Sequence, residues 1–208
     1  MILSWQKTEE LLKKYQIPLV ESLLIETAEQ GIEFAHRVGW PVVLKLLLPD
    51  DLHKTDKGLV KLNLQNEQQL ASACAEIEAV PRGLTPGQLL VQKQVSGVEL
   101  FLGMKRDQSF GPAISFGLGG IFVEVLGDVV FGICPVDQKY ALQMIKDLKG
   151  YKILQGYRGQ TPINLEKLAD VLVNVSKLAV ENKEISEIDF NPILADGNNI
   201  IVADAKII

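Results

Sequence analysis

The chain has 208 residues, of which 47% are hydrophobic and 23% are charged, a balance that excludes a polypeptide disordered throughout. The 26 acidic and 21 basic residues give a net charge of −5, which excludes an overall electrostatic attraction to nucleic acid or to anionic lipid. Two cysteines are too few for a disulfide framework, and neither a signal peptide nor a membrane-length apolar run is visible. We therefore expect a cytoplasmic protein with no nucleic-acid or membrane partner.

Apolar residues at helical spacing predict five helices, which begin at or next to a residue that caps helices well: Ser4, Thr27, Asn66, Asp137 and Asn164. Strand patterns occupy most of the remaining chain: residues 42–48, 60–64, 89–95, 99–104, 113–116, 122–126, 129–133, 187–190, 193–195 and 200–205. The links between residues 89 and 133 are too short for helical crossovers, so that region is mostly antiparallel. The pattern predicts an α+β fold of two lobes rather than a doubly wound parallel sheet.

Two segments mark the expected boundary between the lobes. Residues 81–87 are dense in Pro and Gly and predict a loop, and residues 92–97 are a candidate hinge. We assign residues from about 20 to 93 to a smaller lobe, and residues from about 94 to 208, together with 1–19, to a larger one.

Lys45 is a single charge within the apolar strand 42–48. A buried lysine needs an anionic partner, and either a ligand phosphate or an internal aspartate would serve. The strand is followed at once by residues 49–58, which are rich in titratable groups and include His53. A solvated loop is the alternative interpretation of that segment.

Three glycines, Gly117, Gly119 and Gly120, fall within four positions. Such a run leaves backbone N–H groups free to face an anion, as phosphate-binding loops do, although a hairpin with a glycine turn explains it nearly as well. The Walker pattern and the dinucleotide-binding fingerprint are both missing from it.

The segment 187–192, EIDFNP, places oxygen-bearing side chains at alternate positions, including Asp189 and Asn191. Alternate residues share one face of a strand, and carboxylate and amide oxygens suit Mg²⁺. The outward polar face of an edge strand is the competing interpretation. Two further residues are weaker candidates: Glu99 for a ribose hydroxyl, and Arg106 for nucleotide binding, with an ion pair to Asp107 in a turn as the alternative.

Five motifs in one order then point to a single family. The segments PVVLK, DLHKTDKG, FGPAISFGLGGIFVEVL, LKGYKILQGYRG and EIDFNP resemble the ATP-grasp domain of ADP-forming (NDP-forming) acyl-CoA synthetases. These enzymes make ATP and a free acid from acyl-CoA, ADP and phosphate, or run the reverse reaction. The resemblance extends from about Ser4 to Ala205. It implies an ATP-grasp fold, in which two α+β lobes hold the nucleotide between them.

The resemblance also implies roles for single residues. Lys45 would contact the nucleotide, Glu99 its ribose, and the three glycines its phosphates. Asp189 and Asn191 would hold Mg²⁺, with Glu124 as a neighbour, and His53 matches the histidine that carries the phosphoryl group. ATP or ADP and Mg²⁺ are the implied cofactors. The implied partner is a CoA-binding α subunit or domain, in a hetero-oligomer.

One departure from the family pattern supports a second hypothesis. Leu59 stands where the family usually has a glycine, and a Cβ there bars positive φ and crowds the approach of a phosphate. The alternative function is therefore a non-catalytic nucleotide-binding module of a larger protein, such as a protein acetyltransferase. A subunit like the succinyl-CoA ligase β chain is a third candidate, less similar in its motifs. Neither the acyl group nor the choice between adenine and guanine follows from the sequence.

Overall fold

A computed structural model describes residues 2–48, 59–79, 87–120, 127–156 and 161–208. Within it the chain forms two units, one built from Val20–Val95 and the other from Met1–Leu19 together with Ser96–Ile208. Each unit has its own antiparallel sheet and its own hydrophobic core. None of the described helices has the length and hydropathy needed to cross a bilayer.

The smaller unit has a four-stranded sheet in the order β1-β4-β2-β3 and two helices. Its elements are β1 (Ser22–Ile25), α2 (Ala28–Val38), β2 (Val42–Leu47), β3 (Val60–Leu64), α3 (Glu67–Ala79) and β4 (Gln88–Lys93). Strand β2 alternates strictly: Val42, Leu44 and Leu46 join the core beneath the two helices. The residues between them, Val43 and Lys45, therefore face the opposite side of the sheet.

The larger unit has a six-stranded sheet in the order β10-β8-β5-β6-β7, with β9 paired to β8. Its strands are β5 (Val98–Asp107), β6 (Gly111–Leu118), β7 (Val129–Ile133), β8 (Glu187–Asp196), β9 (Asn199–Val202) and β10 (Ala205–Ile207). Its helices are α1 (Trp5–Lys14), α4 (Gln138–Lys146), α5 (Tyr151–Leu154) and α6 (Leu165–Glu181).

One face of the larger sheet carries the core of that unit. Leu102, Phe116 and Phe190 are fully buried there and belong to the same apolar cluster as Leu172 and Val175 of α6. Because side chains alternate along a strand, the other face of β5, β6 and β8 takes the intervening residues, which include Glu99 and Asp189. We call this second face the open face of the larger sheet.

The five helices expected from periodicity are confirmed, and their caps explain where they begin. Ser4, Thr27, Asp137 and Asn164 each accept a hydrogen bond from a backbone amide in the first turn. Asn66 does the same for Gln69, at 3.0 Å. A side-chain oxygen at this position satisfies a backbone donor that the helix itself leaves unpaired.

The predicted elements need three corrections. Residues 187–190 and 193–195 form one strand, β8. Its register with β5 shifts near Pro192, which has no N–H to contribute to the ladder, and the strand continues beyond this shift. The predicted strand 200–205 is two strands, β9 and β10. Strand β1 and the one-turn helix α5 were not predicted, since four residues are too few to show a period. The predicted strand 122–126 lies outside the described residues.

Candidate nucleotide-binding and metal-binding residues

Lys45 lies in the middle of β2 and is buried, with 7% of its surface exposed. Its neighbours across the ladder are Val60 of β3 and Leu90 of β4. Burying an ammonium group among apolar residues is costly without an anionic or acceptor partner. The position places a cation on the face of the smaller sheet opposite the core of that unit.

Gln92 was not among the residues selected from the sequence, and it lies beside Lys45. It pairs with Val43, two residues before Lys45 on the same face of β2, and is 2% exposed. Its amide nitrogen Nε2 has no hydrogen-bond partner within the described structure. A buried donor of this kind is costly unless a ligand or water accepts from it. The two side chains place nitrogen donors on one face of the smaller sheet, which fits the acceptors of a nucleotide.

The glycine segment Gly117–Gly120 continues β6 along the beginning of β5. The N–H of Gly119 donates to the carbonyl oxygen of Glu99 at 2.6 Å. Gly120 has a φ of +60°, and a Cβ added to it would lie 2.8 Å from the Glu99 carboxylate oxygen Oε2. The left-handed φ favours glycine at position 120, where the Glu99 carboxylate approaches the segment. The structure brings together Glu99 and the glycines, as a phosphate- and ribose-binding corner requires.

Asp189 and Asn191 are both exposed on the open face, in β8. Asp189 pairs with Gly103 of β5, while the core side of the strand carries Phe190. Gly117 pairs with Phe101, and Asn191 lies opposite Phe101 at the register shift of β8, so the backbones of Gly117 and Asn191 are about 10 Å apart, two strand spacings. The predicted metal ligands and the glycine segment therefore share one face of one sheet.

Asp204 is a further oxygen donor that the sequence patterns did not single out. The amide of Asn191 donates to the carbonyl oxygen of Asp204 at 3.2 Å, just before β10 pairs with β8. Continuing that register places Asp204 opposite Asn191 and on its face. The described residues contain no cluster of three or more His, Cys, Asp or Glu side chains that could hold a metal ion. The candidate ligands are the carboxylates of Asp189 and Asp204 and the side-chain amide of Asn191. Hard oxygen donors of this kind suit Mg²⁺.

Arg106 lies away from these residues and has a structural role. Its guanidinium donates to the carbonyl oxygens of Ile185 (3.1 Å), Ala179 (2.7 Å) and Asn182 (3.0 Å), around the end of α6. A cation at a helix C-terminus satisfies carbonyls that the helix leaves unpaired. Along β5, Arg106 is seven residues from Glu99, about 24 Å. Within the described residues, Arg106 neither reaches the glycine segment nor forms an ion pair with Asp107.

The predicted His53 and Glu124 lie outside the described residues, whereas Leu59 is described. Leu59 is 3% exposed and belongs to the core of the smaller unit. Its carbonyl oxygen accepts from Leu46 at 2.9 Å, and its backbone does not adopt a positive φ. Leu59 is therefore accommodated without backbone strain, and its side chain packs in the core of the smaller unit rather than on its surface.

Comparison with known proteins identifies the family. The family model described as an ATP-grasp domain matches residues 1–208. The chain belongs to the ATP-grasp family. The predicted ATP-grasp fold with α+β architecture is thereby confirmed.

Two curated relatives show which proteins of the ATP-grasp family this chain resembles. The chain is 42% identical to the β subunit of acetate–CoA ligase [ADP-forming] I of Pyrococcus furiosus, over 97% of this chain and 89% of that subunit. It is 39% identical to acetate–CoA ligase [ADP-forming] I of Archaeoglobus fulgidus, over 98% of this chain but 33% of that longer protein. The resemblance to ADP-forming acyl-CoA synthetases is confirmed.

A solved structure agrees with this placement. The dinucleotide-forming acetyl-coenzyme A synthetase 1 of Candidatus Korarchaeum cryptofilum, in complex with coenzyme A and Mg-AMPPCP, has a TM-score of 0.85 and 39% identity. The match covers all of this chain and 92% of that chain. In that protein the phosphohistidine segment points towards the nucleotide-binding site.

Proposed function

We propose that this ATP-grasp chain is the nucleotide-binding component of an ADP-forming acyl-CoA synthetase. It transfers a phosphoryl group between ATP or ADP and His53, and a CoA-binding partner couples that transfer to the formation or cleavage of an acyl-CoA. The observation that carries the proposal is the gathering of Glu99, the glycine segment, Asn191 and Asp204 on one face of one sheet.

The nucleotide would be held by groups that neutralise the charge of its phosphates or form hydrogen bonds with its polar atoms. The backbone amides of the glycine segment are suited to phosphate oxygens, and the Glu99 carboxylate beside Gly120 is suited to the hydroxyls of a ribose. Lys45 is a further proposed ligand of the nucleotide, and Gln92 lies diagonally across the strand pair from it. Phosphoryl transfer depends mainly on positioning and charge neutralisation, which these groups supply without covalent chemistry.

Asn191, Asp204 and Asp189 would hold Mg²⁺, with Glu124 as a further ligand. When bound, the metal neutralises phosphate charge and fixes the orientation of the oxygens. The protein's own part is to present hard oxygen donors on a rigid strand pair. The cross-strand bond between Asn191 and Asp204 keeps these two donors at a fixed separation.

His53 would act as the nucleophile that accepts the phosphoryl group. An unprotonated ring nitrogen of histidine is available near neutral pH, and it forms an N–P bond as the bond between phosphorus and the ADP oxygen breaks. The partner then receives the group for acyl transfer. A separate CoA-binding subunit or fused domain is proposed because the similar Pyrococcus protein is called a β subunit and the Archaeoglobus relative is about three times as long.

The alternative is a nucleotide-binding module without turnover. Leu59 is the observation behind it, because the family glycine is missing. Its burial in the core weakens this alternative, since the leucine side chain occupies no phosphate-binding surface. The enzyme is therefore the function that we favour.

The test is phosphoryl labelling of the full chain together with its CoA-binding partner. With Mg²⁺ and γ-labelled ATP we expect a label that is labile in acid and stable in base. The His53→Asn variant should lose label and turnover while retaining thermal stabilisation by ADP. His36→Asn is the matched control, because His36 is an exposed histidine that contacts Glu67 at 2.8 Å. Label that survives in His53→Asn contradicts the assignment, and nucleotide binding without any label favours the module.

A further inference from the structure

Asp128 is a buried acidic residue to which neither the sequence motifs nor the proposed function assigns a role. It precedes β7 and is 2% exposed. One carboxylate oxygen accepts from the amide of Lys149 at 2.8 Å and the other from the amide of Gly150 at 2.7 Å. It makes no ion pair within the described residues. Two amides therefore balance the cost of burying this carboxylate.

The backbone of the same residue contacts the glycine segment. A Cβ added to Gly117 would collide with the carbonyl oxygen of Asp128 and lie 2.5 Å from the ring of Phe101. Gly117 also pairs with Val129, the residue that follows Asp128. The chain at Asp128 is thus packed directly against the beginning of the glycine segment.

The turn that donates to the carboxylate is equally close. A Cβ added to Gly150 would lie 3.1 Å from Oδ2 of Asp128 and would collide with Leu118. Leu118 is itself part of the glycine segment's strand and is fully buried. Asp128 therefore connects two segments that are about 30 residues apart in sequence: the glycine segment and the turn at Lys149–Gly150.

We propose that Asp128 is a positioning residue, which holds the glycine segment in the conformation that contacts the phosphates of the nucleotide. The inference rests on the proposed function. It goes further by assigning the rigidity of the phosphate-binding backbone to one buried carboxylate. Backbone amides bind phosphate well only when they are already fixed in place, because ordering them on binding would reduce affinity.

Two variants separate this role from a purely structural one. In Asp128→Asn, one oxygen still accepts, but the new NH₂ group faces an amide N–H and cannot accept from it. In Lys149→Pro, one of the two donors is removed. Lys149 is the second residue of a turn closed by the bond from the Tyr151 amide to the Leu148 carbonyl oxygen, 3.1 Å, a position that favours proline.

The matched control is Ser176→Ala. Ser176 is 1% exposed, and its hydroxyl accepts from the amide of Val136 at 2.7 Å, beyond the other end of β7. This substitution also removes a buried bond from a side chain to a backbone amide in the same unit. It does so away from the glycine segment, so it reports the effect of lost stability alone.

The measurement is calorimetric titration of the full-length variants with Mg-ADP and with AMP, alongside thermal melting. We expect both variants at the Asp128 contact to bind Mg-ADP at least about tenfold more weakly, the size of a lost charged hydrogen bond, and AMP less than about threefold more weakly. Ser176→Ala should have a lower melting temperature and unchanged affinities for Mg-ADP and AMP. Unchanged Mg-ADP affinity in a folded variant, or equal losses for ADP and AMP, overturns the proposal.

The remaining outcomes are also decisive. If neither variant folds, Asp128 is a structural residue and the proposal is wrong. If the wild-type chain binds no nucleotide, the proposed function fails and this inference fails with it. If the wild type binds Mg-ADP and the folded variants bind it equally well, only the positioning role is lost.

Discussion

The backbone amide of Asn191 donates to the carbonyl oxygen of Asp204 at 3.2 Å, across thirteen positions of sequence. This contact links Asn191, which belongs to the motif EIDFNP, to Asp204, which lies outside it. Both residues have oxygen-bearing side chains. Asp204 belongs to the short link between β9 and β10, and the return of the chain onto β8 brings it there. The candidate metal site is therefore a feature of a strand pair rather than of one strand.

The Asp204→Asn substitution tests this metal site. It removes a negative charge from a set of hard oxygen donors, so we expect ADP binding in the presence of Mg²⁺ to weaken at least about tenfold and binding without Mg²⁺ to change little. Asp189→Asn should act in the same direction. Titration calorimetry with and without Mg²⁺ gives both values.

Asp196→Asn is the control for that measurement. Asp196 ends β8 and is exposed beyond the candidate ligands, so its neutralisation should leave both affinities unchanged. Equal losses with and without Mg²⁺ in Asp204→Asn would instead indicate a role outside metal binding.

Lys45→Met tests the cation on the smaller sheet. Methionine has a similar volume, so the packing around this buried position is retained while the charge is removed. We expect ADP affinity to fall at least about tenfold and the nucleotide-induced rise in melting temperature to shrink accordingly.

Lys61→Met is the comparison for Lys45. Lys61 lies on the neighbouring strand β3, opposite Leu44, and its ammonium group contacts Glu76 on the helical side of the sheet at 2.5 Å. Its loss should leave ADP binding unaltered. If both variants bind ADP like the wild type, Lys45 is not a nucleotide ligand.

Arg106→Met distinguishes the structural role of Arg106 from nucleotide binding. Three charged hydrogen bonds to carbonyl oxygens are removed, so we expect the free energy of unfolding to fall by at least about 1.5–3 kcal/mol, the contribution of one such bond. ADP affinity of the folded fraction should stay within about twofold of wild type, which is below 0.5 kcal/mol by the usual conversion at ~1.4 kcal/mol per tenfold. Urea denaturation and calorimetry measure the two effects, and the exposed neighbour Lys105→Met should show neither. A selective loss of ADP binding would return Arg106 to the nucleotide site.

Cys74 provides a prediction about pH. Burial, with a smaller effect of the Glu78 and Glu29 charges, raises the pKa of its thiol from 9.0 to about 11. A raised thiol pKa favours the protonated native state, so its contribution to stability is complete below pH 9 and is lost as the pH rises through 11. We expect slow alkylation by iodoacetamide at pH 8, since about one thiol in a thousand is ionised there.

Denaturant provides the contrast for Cys74. Alkylation should become fast in urea, where the thiol is exposed and its pKa returns to the ordinary value. Cys74→Ala should leave Cys134 as slow to react as before, because burial also raises the pKa of that thiol. Rapid alkylation of the native protein at pH 8 would contradict the buried position of Cys74.

The sequence by itself determined the helices, the α+β class and the family. Caps such as Asn164 and the periodic apolar faces are local, and five motifs in one order resemble a single family. Only the tertiary structure decided which residues meet. Asp204 lies opposite Asn191 because strands pair in one register. Gln92 lies in a central strand of its sheet and is buried with an amide nitrogen that has no partner among the described residues. Arg106 reaches the carbonyls around the end of α6 because a helix packs against the sheet beside it. Register and burial are properties of long-range pairing, so no local pattern in the chain encodes them.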